Sequence, residues 1–148
     1  MKTNLRLLAL AAALSVGLLT ATAADKPAKA TPGGGRLLEK TEPHAEFVFE
    51  KDRSITINFY TAELKPVAAT TQVVTVIATG KNGKTALEFE KKGDSLVSKT
   101  KLPDGEGYNL VVQFKQTADA KPQNFRFKLE LHACGECKRA EYACICGH

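Results

Sequence analysis

The chemistry in this chain is concentrated in one short stretch. Residues 132–148, HACGECKRAEYACICGH, hold all four cysteines and two of the three histidines. The spacing is Cys134-x2-Cys137-x6-Cys144-x-Cys146, with His132 two residues before and His148 two residues after. A C-x2-C pair lets two sulfurs grip one ion from a tight turn, which Gly135 helps to form. C-x-C adds two more sulfurs, and the six residues between the pairs are enough to fold back. A closed shell of four thiolates suits Zn²⁺ or Cd²⁺, whereas two or three suit Cu⁺. His148, and then His132, are auxiliary ligands that can replace a sulfur or bind a second ion. Lys138 and Arg139 between the pairs are expected to offset thiolate charge and lower the thiol pKa values. The spacing departs from common zinc-finger patterns, whose ligand pairs stand further apart.

Two other readings of the same residues depend on compartment. The chain opens MKTNLRLLALAAALSVGLLTATAAD, with basic Lys2 and Arg6, an apolar run from Leu7 to Leu19, and an A-x-A site at Ala21-Thr22-Ala23. This reads as a secretory signal peptide over residues 1–23, giving a periplasmic or secreted bacterial product with no membrane span in its mature form. In an oxidising compartment four cysteines often form two disulfides. A Cys144–Cys146 bridge would close a strained ring, so a disulfide version would link the first pair to the second and staple a C-terminal hairpin. That alternative makes the protein a structural or interaction module of the cell envelope. The third reading, thiol redox catalysis at Cys134-x-x-Cys137, requires the start of a helix in a βαβ setting, and the sequence offers none. Histidines flanking the cysteines favour metal over staple.

Nothing else in the chain carries catalytic chemistry. His44, in EPHAEF, reads as a solvated strand-end residue. Tyr60, Tyr108 and Tyr142 read as packing, and Asp52, Asp94 and Asp104 as turn residues. No Ser/His/Asp set, paired carboxylates or phosphate loop stands out, and the GGG at 33–35 precedes a strand. The expectation is therefore no enzyme. Removing Lys2 and Arg6 from the 21 basic residues leaves 19 against 16 acidic, a net of +3 with the signs interspersed. That balance, without aromatics interleaved in a basic stripe, excludes a nucleic-acid footprint.

The elements that must position the cysteines are strands. Residues 24–35, ADKPAKATPGGG, read as a flexible leader. From Arg36 the pattern alternates with period two. Ala45, Phe47 and Phe49 face one way, with Glu46 and Glu50 the other, and Ile55, Ile57 and Phe59 alternate with Thr56 and Asn58. Val73 to Ala78 is denser and suits a strand buried on both faces. Leu87 and Phe89, then Leu110, Val112 and Phe114, then Phe125, Phe127, Leu129 and Leu131 continue the alternation. Turns fall at Asn82-Gly83, Gly93-Asp94 and 102–107, with breaks at Pro66 and Pro122. About seven strands at this spacing predict an all-β, antiparallel, immunoglobulin-like β-sandwich over residues 36–131. The last strand carries Arg126, Lys128, Glu130, His132 and Cys134 on its polar face and leads directly into a Cys-rich knob at 132–148.

The segment PGGGRLLEKTEPHAEFVFEKDRSITINFYTAELKPV, residues 32–67, resembles secreted bacterial β-domains found alone or at the amino-terminal side of periplasmic adaptor subunits of heavy-metal efflux pumps of the resistance-nodulation-division type. The shared pattern is the opening Gly34 to Glu39, the His44-Ala45-Glu46 strand, and Lys65 to Val67 after an alternating strand. The resemblance implies a stand-alone envelope sandwich linked to heavy-metal handling, with an efflux or adaptor protein as partner. Gly33 stands where relatives often carry histidine or asparagine, and the cysteine tail lies outside the pattern.

Overall fold

The structure is a computed structural model that describes residues 29–146. The proposed signal peptide, the start of the leader and His148 lie outside the described residues. The described residues form one antiparallel sheet of nine strands: β1 Arg36–Leu38, β2 His44–Phe49, β3 Ile55–Tyr60, β4 Pro66–Val67, β5 Val73–Gly80, β6 Gly83–Lys92, β7 Ser95–Ser98, β8 Tyr108–Lys115 and β9 Gln123–Leu129. The order is β1-β2-β3-β7-β6-β5-β8-β9, with β4 on the side of β3. The all-β, antiparallel expectation is met. The strands exceed the expected seven because β1 and β4, three and two residues long, are too short for alternation to register.

β6 joins the two halves of the sheet. Its first part, Gly83 to Glu88, pairs with β5, and its last part, Phe89 to Lys92, pairs with β7. The tight β5–β6 hairpin turns through Lys81-Asn82, with Gly83 at a φ of 111° that a side chain would resist. The sheet curls until its first and last strands face each other across the core. Phe47 on β2 meets Phe127 on β9 edge-to-face at 5.2 Å, and the Arg36 guanidinium on β1 lies over the same ring at 4.9 Å. Phe47, Ile55, Ile57, Phe59, Val76, Leu87, Leu110 and Val112 fill the interior.

Two sequence expectations change here. The Val73–Ala78 run is buried on one face only: Val74, Val76 and Ala78 point inward, while Val73 is 41% exposed. No described layer covers the outer face of this half-sheet, so the strand needs only one apolar face. Glu46 should face solvent by alternation, yet it is 0% exposed. The segment Thr31 to Gly35, read by composition as leader, lies over it. The Gly35 amide donates to Glu46 Oε1 at 2.8 Å, while the Tyr60 hydroxyl and the Asn58 amide donate to Oε2 at 2.7 and 3.2 Å. Thr31 is buried and its hydroxyl donates to Gly35 O. A methyl group on Gly33 would lie 2.5 Å from Glu46 Oε2, so only glycine permits this approach. Burial raises the Glu46 pKa, but the donors of Tyr60, Gly35 and Asn58 outweigh it and hold the carboxyl below its ordinary value. Burial and the adjacent Glu46 carboxylate raise the Tyr60 pKa, so its hydroxyl stays a donor.

Candidate metal centre

β9 ends at Leu129, earlier than the alternation implies, and the chain then forms a small hairpin. Ala133 and Ala140 bridge as its base, the Cys134 amide donates to Arg139 O at 2.7 Å, and the Lys138 amide donates to Cys134 O at 3.2 Å. The residue that turns this loop is Lys138, whose φ is +60°, rather than Gly135. Its Nζ donates to Gly135 O. A single 3₁₀ turn, Glu141–Ala143, carries the chain back, and Cys144 leaves it in an extended conformation. Extended backbone puts residues two apart on one side, which is what C-x-C needs to aim both sulfurs at the first pair.

The four sulfurs all lie within 4.8 Å of one another. Cys144 Sγ is 3.3 Å from Cys134 Sγ and 3.7 Å from Cys137 Sγ, and Cys134 Sγ is 3.9 Å from Cys146 Sγ. A tetrahedron with Zn–S bonds of about 2.3 Å has edges of about 3.8 Å, so these separations match a four-sulfur shell. They are far from the S–S bond of about 2.0 Å in a disulfide, and no disulfide joins the four cysteines. The contacts also form a chain, Cys137–Cys144–Cys134–Cys146, rather than two separate pairs. Cys134 is buried and the other three are half-buried.

Backbone amides support the sulfurs. The Cys146 amide donates to Cys144 Sγ at 3.3 Å. Hydrogen bonds from the Ile145 backbone, then the Arg139 backbone, lower the Cys137 thiol to about 6. The expectation that Lys138 and Arg139 side chains would lower the thiol pKa values is thus replaced by a backbone effect. Cys144 and Cys146 are shifted upward; for Cys146 burial is the leading cause, followed by Glu136 and the neighbouring thiols. Four sulfurs this close cannot all ionise without a cation between them. The donor set, spacing and amide support fit a soft or borderline divalent ion, with Cys134, Cys137, Cys144 and Cys146 as its ligands.

The described histidines, His44 and His132, are not part of this group. His132 is exposed and lines an open cavity of about 590 Å³ with Lys81, Glu106, Lys128, Glu130 and Leu131. His148 lies outside the described residues. His44 begins β2, with its Nδ1 2.9 Å from Thr41 O.

The knob is docked on the barrel through Tyr142, which the sequence marks only as packing. Its ring meets Phe47 edge-to-face at 5.8 Å and its hydroxyl accepts the Phe49 amide at 3.1 Å. Its own amide donates to Glu130 O at 3.1 Å, and Arg36 Nη1 donates to its carbonyl at 3.2 Å. Ala143 beside it is also buried in the core. No helix among the described residues is long and apolar enough to cross a membrane. The chain matches no protein-family model, no curated protein and no solved structure with which it was compared.

Proposed function

We propose that this is an exported, non-enzymatic metal-binding protein that holds one ion at Cys134, Cys137, Cys144 and Cys146. The observation that carries the reading is the convergence of four sulfurs, none in a disulfide, on one centre at tetrahedral spacing. Zn²⁺ is the ion that fits four sulfurs best; Cu⁺ is satisfied by fewer and is the second choice. A closed shell with no open ligand position favours an ion that is retained over one handed on. His132 and His148 are then auxiliaries, available for capture or exchange.

The scaffold supports an immunoglobulin-like reading. β2-β3-β7 and the end of β6 follow the A-B-E-D order of one such sheet, and β5-β8-β9 the C-F-G order of the other. The signal peptide read at residues 1–23 supports export to the periplasm or beyond, and the resemblance of residues 32–67 supports a role beside heavy-metal efflux or sequestration. The competing function is a disulfide-stapled interaction module, for which the 3.3 Å approach of Cys134 and Cys144 is the best argument.

Elemental analysis with thiol titration, on the mature chain purified without oxygen from the periplasm, separates the two. The metal reading expects about one zinc per chain, lost in the Cys144→Ser/Cys146→Ser variant. Neither metal nor free thiols would leave the stapled module.

A further inference from the structure

We infer that the ion acts as a clasp for the seam of the barrel: loading the four-sulfur centre seats the Glu141–Ala143 turn between the first and last strands, and removing the ion frees it. The inference rests on the metal reading above and adds what the ion does to the fold.

The sheet ends in β1 on one side and β9 on the other, and no ladder joins them. The segment between the two ligand pairs spans that seam. It is tied past the end of β9 by Tyr142 N–H to Glu130 O and Glu141 N–H to His132 O. It is tied to the other side by Arg36 Nη1 of β1 to the Tyr142 carbonyl and by the Phe49 amide of β2 to the Tyr142 hydroxyl. Tyr142 and Ala143 enter the core between these attachments. A three-residue 3₁₀ turn has little stability of its own, because fixing its backbone yields few hydrogen bonds. Beyond these hydrogen bonds and the burial of Tyr142 and Ala143, the segment is flanked by Cys137 and Cys144, both ligands of one ion. Removing the ion releases Cys137 and Cys144 together and leaves the turn on its hydrogen bonds, its buried side chains and the Ala133–Ala140 bridge; a loop with fewer ties regains part of the entropy its closure cost. Because seating the turn and binding the ion are linked, each must strengthen the other by the same factor.

The test uses the full chain and Zn²⁺ alone as ligand. Zinc affinity is measured by competition with a chromophoric chelator, and amide hydrogen exchange is followed with and without zinc. Chelation is expected to speed exchange at Phe49, Glu141 and Tyr142 by at least about tenfold, leaving the β5–β8 ladder protected. Tyr142→Phe, which keeps the ring and loses only the hydroxyl, is expected to weaken zinc binding about tenfold, the equivalent of one hydrogen bond. Stoichiometric zinc binding with unchanged exchange at these amides, or with unchanged affinity in Tyr142→Phe, would overturn the clasp while leaving the metal site standing. Failure to bind zinc at all would remove the metal reading itself, and the clasp with it.

Discussion

Replacing Glu46 by alanine is expected to be among the most damaging single changes on this scaffold, although alternation assigns that residue to the surface. The carboxylate accepts from the Gly35 amide, the Asn58 side chain and the Tyr60 hydroxyl in a fully buried setting. Alanine leaves those three donors without their acceptor, at about 1–3 kcal/mol for each that water cannot reach. Taking the low end for partial rehydration, the loss is about 3–5 kcal/mol, or roughly 12–20 °C in Tm at about 4 °C per kcal/mol. Glu46→Gln is milder, about 1–2 kcal/mol. Its amide nitrogen can replace Oε2, where the Tyr60 hydroxyl can rotate to accept and only the Asn58 amide loses its acceptor; at Oε1 it would face the immovable Gly35 N–H. The pH dependence follows from the depressed pKa. The carboxylate's contribution is complete above its unfolded value near 4.5 and is lost as pH falls through the lower folded value. The Tm gap between the parent and Glu46→Gln should therefore narrow in acid. Thermal unfolding followed by far-UV circular dichroism at fixed zinc, from neutral pH to about pH 3, measures all of this. A loss under about 1 kcal/mol in Glu46→Ala at neutral pH would refute the reasoning.

Further outcomes are expected. Gly33→Ala should cost about 2 kcal/mol or more in thermal unfolding, because a methyl 2.5 Å from Glu46 Oε2 lifts the 31–35 segment away from it. Arg36→Ala removes both the contact with Phe127 and the hydrogen bond to Tyr142, at about 1–2 kcal/mol; Arg36→Lys should recover only part of this. In the metal-free, reduced chain, Cys137 should be alkylated first at neutral pH, with a rate midpoint near its pKa of about 6. Cys144 and Cys146 should lag, and peptide mass mapping reads the order.

The long strands were legible because period-two alternation is a local property. β2, β3, β8 and β9 carry it cleanly, and Asn82-Gly83 marked its hairpin. The thiol cluster was legible because its members lie close in sequence. Burial that comes from distant chain was not. Alternation puts Glu46 outside, and only the folding of Thr31–Gly35 onto that outer face encloses it; three consecutive glycines before a strand were the available signal. The Val73–Ala78 run carried an apolar outer face whose exposure depends on what covers it, which composition does not encode. The docking of Tyr142 was hidden for the same reason, since its partners Arg36, Phe47 and Phe49 are about a hundred residues away in sequence. The cause of the low Cys137 pKa was hidden because it is a matter of where backbone amides point.

The central claim is that four sulfurs share one ion. Mass spectrometry of the protein under native conditions, after purification without oxygen, tests it most directly. The account predicts one zinc per chain, displaced protons equal to the thiolates engaged, and return to the mass of the fully reduced chain on acidification. A metal-free chain lighter by the hydrogens of two disulfides would contradict it.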